Sequence, residues 1–167
     1  MAGTPRTHEV VADTSPLIHL HRIDRLDLLP SLYGRVLVPP AVRDEIEIGV
    51  CSGFPAPSIR SLEWIGIEAP GIESLAGVQA RLGRGEREVL ALALGRKDIL
   101  ALLDDRTARR FAESHGIQVT GTLGILLRAK RQGYVAAIGP LIDDLENHGF
   151  RLHPRTRVSV LEIAGEA

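Results

Sequence analysis

The chain has 167 residues, of which 44% are apolar, 25% charged and 4% aromatic, as is typical of one globular domain. Its 20 basic and 21 acidic residues give a formal net charge of −1, so any surface that binds an anion must be local. The few aromatic residues disfavour a base-stacking platform. The single cysteine, Cys51, excludes an internal disulfide and makes a structural zinc cluster very unfavourable.

Targeting segments and domain boundaries are absent from the sequence pattern. Residues 1–8 are not followed by an apolar run long enough for a signal peptide, and no stretch approaches ~18 apolar residues. We therefore expect a cytoplasmic protein without a membrane partner. We predict a single domain over residues 1–167, with a core at about residues 9–135 and a C-terminal helical extension at about residues 139–165.

Short apolar runs alternate with helical patterns along the chain. This alternation predicts an α/β fold, a three-layer α/β/α sandwich with a central, mainly parallel sheet. In chain order, the predicted elements are a strand at 9–12, a helix capped by Thr14 or Ser15, a helix at 24–32, a strand at 35–38, a helix at about 40–48, a loop at 49–58, a strand at 63–67, a helix at 73–81, a helix at 85–94, a strand at 99–103, a helix ending at 114, a strand at 117–119, a helix at about 121–131 and two helices within 140–164 around Gly149.

Two predicted strands end in aspartate. Asp13 follows the first strand, and Asp104 and Asp105 follow the strand at 99–103. In open α/β sheets ligands bind at the carboxyl ends of the strands, so we expect these acids at the same edge. One isolated aspartate of this kind is more often a helix cap or an Asx-turn residue, but two such positions favour a site.

Two glutamates fall on the apolar faces of predicted helices. Glu45 shares the face of Ala41, and Glu86 begins the apolar stripe that continues at Val89. We therefore expect both carboxylates to point inward. Each has an ordinary alternative, because a helix N-terminus favours Glu86 and an arginine could pair with Glu45.

Acids from four separate segments would repel one another and raise one another's pKa unless a cation neutralised them. Ligation by oxygen alone favours Mg²⁺ or Mn²⁺, which activates water and stabilises a leaving oxygen in phosphate chemistry. The pattern therefore predicts phosphodiester hydrolysis. A phosphatase or phosphoacceptor domain with Asp13 or Asp104 as nucleophile is an alternative, although a convincing Lys and Thr pair is missing.

Five motifs in order along the chain resemble those of the PIN-domain family. They are VVADTSPLI at 10–18, VPPAV at 38–42 leading to Glu45, GERE at 85–88, LDDR at 103–106 followed by Ala108 and Arg109, and TGTLG at 120–124. The branch that looks most similar is described as predicted nucleic-acid-binding proteins containing a PIN domain. The resemblance extends over about residues 9–165.

This resemblance implies a compact α/β/α fold and a metal-dependent endoribonuclease that cleaves RNA, as in the VapC-like toxins of toxin–antitoxin pairs. The implied catalytic acids and ligands of Mg²⁺ or Mn²⁺ are Asp13, Glu45, Glu86 and one of Asp104 and Asp105. The family commonly has Asp where this chain has Glu86. The residues implied to support these acids or contact substrate are Thr14, Ser15, Thr120, Thr122 and Arg106, with a phosphate bound near the helix N-terminus at 120–122.

The resemblance also implies a small antitoxin partner and a homodimer, and the apolar segment at 158–163 supports the homodimer. The departure at Glu86 leaves a second function open, a PIN-like nucleic-acid-binding or regulatory module with little or no catalysis. His19 and His21 are predicted to be surface residues, because positions two apart on a helix face different ways. Two basic clusters are interpreted as solvated helix faces or as the sides of an RNA path: residues 106, 109 and 110, and residues 128, 130 and 131.

Overall fold

The predicted strands pair side by side in the computed structural model, which describes residues 9–167. Residues 1–8, where no signal peptide is expected, lie outside the described residues. All strand pairs are parallel, in the order β3-β2-β1-β4-β5. The strands are β1 (Glu9–Ala12), β2 (Val36–Val38), β3 (Ile65–Ile67), β4 (Ile99–Leu102) and β5 (Gln118–Thr120).

Helices flank this sheet, which confirms the predicted three-layer α/β/α sandwich. None of the helices in the described part of the chain is long and apolar enough to cross a membrane. The helices are α1 (Thr14–Arg22), α2 (Leu28–Tyr33), α3 (Pro40–Cys51), α4 (Ile72–Ala76), α5 (Arg84–Leu94), α6 (Arg106–Ser114), α7 (Thr122–Arg131), α8 (Gly139–Asn147) and α9 (Pro154–Ala164).

The central strands are apolar along their whole length because helices cover both faces of a parallel sheet. Every residue of β4 is buried, and so are the three residues of β1 after Glu9. Alternation of polar and apolar residues is therefore missing from both strands, and the continuous apolar runs in the sequence identified them correctly.

Helix α1 begins one or two residues earlier than a cap at Thr14 or Ser15 would allow. Asp13 occupies the N-cap position, with extended backbone, and Thr14 is the first helical residue. Pro16 therefore lies within the first turn, where the missing N–H has no intrahelical partner to lose. The prediction of the cap was wrong, and Asp13 is at once the end of the strand and the start of the helix.

Three further boundaries differ from the prediction. Helix α2 starts at Leu28 because Asp24 has a φ of 54°, a left-handed conformation that interrupts the predicted helix. Helix α3 continues to Cys51, and the chain turns at Gly53 with a φ of 79°. Helix α4 ends at Ala76, well before the predicted end.

The order in which strands are added to the sheet changes side between β1 and β4. From β1 the next strands lie on one side, and β4 and β5 lie on the other, so the carboxyl ends of β1 and β4 form a topological switch point. The Asp13 N–H donates to the Leu102 carbonyl at 3.0 Å, and the Leu103 N–H donates to the Thr120 carbonyl at 2.9 Å. Strand pairing thus continues to the residues that begin the candidate site.

Candidate active site

Asp13 is the most buried acid of this edge, with 3% of its surface exposed. Burial raises the pKa of its carboxyl from 3.8 to about 7, since a charged carboxylate loses hydration there. A hydrogen bond from the Thr14 backbone lowers the pKa, whereas the charges of Glu86, Glu45 and Asp104 raise it further. An acid in this position has a strong electrostatic preference for a nearby cation.

Asp104 lies at the end of the adjacent strand and is bound on both oxygens. Thr122 donates its N–H to Oδ1 at 2.8 Å and its hydroxyl to Oδ2 at 2.7 Å, and Nδ1 of His19 lies 3.0 Å from Oδ2. Burial by itself would raise the pKa of Asp104, but the hydrogen bonds from His19 and Thr122 outweigh burial and lower it. Asp104 is therefore held as a carboxylate.

The N-terminus of α7 binds this carboxylate. Thr122 is fully buried, and both its N–H and its hydroxyl donate to Asp104. The neighbouring Thr120 directs its hydroxyl into the space that a side chain at Gly124 would need. The helix N-terminus thus binds an anionic side chain of the protein, as its dipole favours, and the phosphate expected near residues 120–122 stays a prediction.

His19 was assigned to the surface, and this prediction was wrong. Its side chain is only 22% exposed, and its ring meets that of Phe150 edge-on at 4.9 Å between centroids. His21, the other residue of that prediction, is half-buried as well. Helical spacing could not reveal the role of His19, because its partner Asp104 lies 85 positions further along the chain.

Glu45 is exposed, so the prediction that it points inward was wrong. Its carboxylate nevertheless bridges two other elements, accepting a hydrogen bond from the Thr14 hydroxyl at 2.5 Å and one from the Gly85 N–H at 3.0 Å. A Cβ at Gly85 would lie 2.8 Å from Glu45 Oε2, which is closer than van der Waals contact allows. A side chain at residue 85 would therefore displace this carboxylate from the start of α5.

Glu86 is half-buried and accepts a hydrogen bond from the Gly83 N–H at 2.8 Å, which closes the first turn of α5. The alternative explanation for Glu86, stabilisation of a helix N-terminus, is therefore present in the structure. Burial raises its pKa, the Gly83 hydrogen bond lowers it, and the charges of Asp105 and Glu45 raise it further. Glu86 is thus within electrostatic range of the other acids.

Asp105 differs from its neighbour Asp104. It is exposed and caps α6, where its Oδ1 accepts a hydrogen bond from the Ala108 N–H at 2.8 Å. The sequence did not distinguish the two aspartates. In the structure Asp104 is hydrogen-bonded to residues of α1 and α7, whereas Asp105 caps α6.

A cleft of about 710 Å³ opens beside these acids. Ser15, Glu86 and Arg106 line it, as does a segment of the C-terminal extension that sequence reasoning did not connect with the site. The residues lining the cleft are Ser15, His19, Glu86, Asp104, Asp105, Arg106, Arg109, Gly121, Leu123, Gly149, Phe150, Arg151, Leu152, His153 and Thr156.

The two basic clusters have different environments. In the first, Arg106 and Arg109 line the cleft. In the second, Arg128 lies 4.9 Å above the ring of Tyr33, and Lys130 forms an ion pair with Glu166 at 2.6 Å. The second cluster therefore has structural partners within the protein.

The chemistry of the acids fits a hard divalent cation, because Asp13 is desolvated and lies within electrostatic range of three further carboxylates. Within residues 9–167, however, no three His, Cys, Asp or Glu side chains stand together as a ready metal-binding group. Their oxygens are instead directed to local donors, among them Gly83 for Glu86 and Ala108 for Asp105. These bonds occupy Oε2 of Glu86 and Oδ1 of Asp105, so the second oxygen of each carboxylate is left for a metal ion.

The fold and this acidic edge define a nuclease-type domain. A family model described as a PIN domain matches residues 9–166, so the chain belongs to the PIN-domain family. PIN domains are generally nucleases and generally use divalent metal ions. No curated protein sequence is significantly similar to this chain.

Proposed function

We propose that this protein is a Mg²⁺- or Mn²⁺-dependent endoribonuclease. The main support is Asp13, a buried carboxylate at the switch point of a PIN domain, whose pKa is raised by burial and by the charges of three other acids. A site that concentrates negative charge out of water is suited to a divalent cation and, through it, to a phosphodiester.

The proposed metal ligands are Asp13, Glu45, Glu86 and Asp104, with Asp105 as an additional candidate. A bound metal ion would supply an activated water and neutralise charge on the leaving oxygen. The other residues position the acids. Thr14 and Gly85 direct Glu45, and His19 and Thr122 keep Asp104 ionised.

The test is cleavage of a labelled RNA pool of mixed sequence with Mn²⁺, with Mg²⁺ and with chelator. We expect cleavage only with metal, and its loss in Asp13→Asn, which keeps the shape of the side chain and removes its charge. The matched control is Asp24→Asn, since Asp24 is exposed and has a left-handed φ of 54° that asparagine adopts readily. Metal-dependent cleavage that persists in Asp13→Asn would contradict the assignment.

A second candidate function is a nucleic-acid-binding module with little catalysis. It is favoured by the local hydrogen bonds of three acids, because Glu86, Asp104 and Asp105 each already accept from a backbone N–H. Calorimetric titration with Mn²⁺ separates the two functions. Binding that disappears in Asp13→Asn supports the nuclease, and the absence of binding supports the module.

The role as a toxin, the small antitoxin partner and the homodimer are parts of the same proposal. Helix α9 supports the homodimer, because 53% of Val158 and 66% of Ile163 remain exposed on it. Light scattering with the wild-type protein and with Val158→Ser tests this part. A monomeric mass for the wild-type protein would overturn it.

A further inference from the structure

The C-terminal extension supplies one side of the cleft beside the acids. We call residues 149–153 together with Thr156 the C-terminal wall, since all of them line the cleft. They connect α8 to the first turn of α9. None of them belongs to the five motifs that resemble those of the PIN family.

The C-terminal wall is anchored at the end of α9. The Glu166 carboxylate accepts hydrogen bonds from Lys130 Nζ at 2.6 Å and from the N–H groups of Ile138 at 2.7 Å and Gly139 at 2.8 Å. These bonds, with that of Lys130 the strongest, lower the pKa of Glu166 to about 2. They tie the end of α9 to α7 and to the start of α8.

Further contacts fix the middle of this segment. Arg157 forms ion pairs with Asp143 at 2.5 Å and Glu146 at 2.6 Å, which join α9 to α8. Phe150 is half-buried with its ring against His19 of α1. The C-terminal wall is therefore part of the packed fold, and its side chains are presented to the cleft in the absence of a ligand.

Three arginines from two separate segments of the chain line the cleft. Arg106 and Arg109 come from α6, whereas Arg151 comes from the C-terminal wall. None of these three arginines forms an ion pair with any residue in the range 9–167. Unpaired cations that line one cleft together with acidic residues favour the binding of a polyanion there.

We propose that the C-terminal wall is a substrate-binding surface and that Arg151 is its phosphate-binding residue. This inference rests on the proposed function. In it, one RNA strand passes between α6 and the C-terminal wall, with phosphates on one side near Arg106 and Arg109 and on the other near Arg151. The proposed strand is single, because a flexible strand can bend into a cleft of about 710 Å³ more readily than a rigid duplex can.

The experiment measures RNA binding separately from cleavage. Binding of a fluorescein-labelled single-stranded RNA is measured by anisotropy in Mg²⁺ at several salt concentrations, with Asp13→Asn as the background that prevents cleavage. Adding Arg151→Gln weakens binding about five- to tenfold and reduces the slope of log K against log salt by ~0.7, since one phosphate contact is lost. In the active protein the same change raises KM and leaves kcat unchanged.

Two variants serve as controls. Arg155→Gln removes an equal charge from an exposed residue of the same segment that does not line the cleft, and it leaves binding and its salt slope unchanged. Arg151→Lys keeps the charge and retains most of the affinity. An equal loss in Arg151→Gln and Arg155→Gln would show that only overall charge matters, which overturns the inference.

The outcomes separate this inference from the proposed function. If the wild-type protein cleaves RNA and Arg151→Gln binds normally, the inference is wrong and the nuclease function stands. If RNA binding depends on Arg151 but no cleavage occurs, the inference holds and the nuclease function is wrong. If the protein neither binds nor cleaves RNA, both the inference and the nuclease function are wrong. If binding of duplex RNA depends equally on Arg151, the assignment of a single strand is wrong.

Discussion

Replacing Asp13 by Asn removes a charge that the folded protein keeps out of water. The pKa of this carboxyl rises from 3.8 to about 7 on folding, so the folded state binds a proton that the unfolded state releases between these values. Stability is therefore lost as the pH rises from about 4 to about 7. At about 1.36 kcal/mol for each pKa unit, the full loss is about 4 kcal/mol.

We therefore expect metal-free Asp13→Asn to be more stable than the wild-type protein by about 4 kcal/mol at about pH 8. The difference shrinks to about 2 kcal/mol at about pH 5.5, where the wild-type carboxyl is protonated in the folded state. Urea unfolding in the presence of chelator, followed at a series of pH values, measures both quantities.

Added Mn²⁺ provides the second half of this experiment. A metal that binds only the folded state raises the stability of the wild-type protein with the logarithm of its concentration, and Asp13→Asn gains little. Asp24→Asn, the same chemical change on an exposed turn, alters neither the pH dependence nor the response to metal. A variant at Asp13 that is no more stable than the wild type in chelator, or a difference that does not change with pH, would refute the reasoning.

Three further changes test single contacts. Gly85→Ala places a Cβ against Glu45, so we expect RNA cleavage to fall at least tenfold in a kinetic assay while the melting temperature stays the same or rises, because alanine favours the helix. A lower melting temperature would contradict this. Thr122→Val removes one hydrogen bond to buried Asp104 and costs about 1–3 kcal/mol in urea unfolding, and no cost would refute the importance of that bond. The pKa of Glu166 is lowered in the folded protein, whereas that of Asp13 is raised, so the two groups change stability with pH in opposite directions. The wild-type protein loses stability as the pH falls from about 4.5 towards about 2, and Glu166→Gln loses less over that range in acid unfolding; equal losses would speak against the anchor.

The elements of the fold could be predicted because local pattern determines them. The buried run of β4 and the apolar stripe of α5 are readable within a dozen residues, and the parallel arrangement follows from their alternation. Boundaries were less predictable, since the turn at Asp24 closes on the Leu20 and His21 carbonyls without the glycine that usually marks a left-handed residue.

The parts of the site that could be predicted are the acids whose location follows from their position at the end of a strand. Asp13 and Asp104 meet because parallel strands end at one edge, which needs no knowledge of side-chain contacts. Glu45 shows the limit of a helical-face argument, since a long side chain on an apolar face can extend outward to Thr14 and Gly85. The position of Glu45 near the site was inferred, but its exposure was not.

Contacts between distant segments escaped prediction altogether. His19 has a local pattern like that of a surface histidine, and its bond to Asp104 exists only because α1 and the end of β4 meet in space. The C-terminal wall escaped for the same reason, because a stretch containing Phe150 and Arg151 resembles an ordinary connection between two helices.

The anchor at Glu166 also bears on the order in which the protein becomes functional during its synthesis. The strands and the acids at their ends are all made before Glu166. The bonds that secure α9, and with it the C-terminal wall, form only after residue 166 has left the ribosome. The surface proposed to receive RNA is therefore secured only after every residue of the acidic centre has been made, which delays RNA binding until residue 166 has been translated.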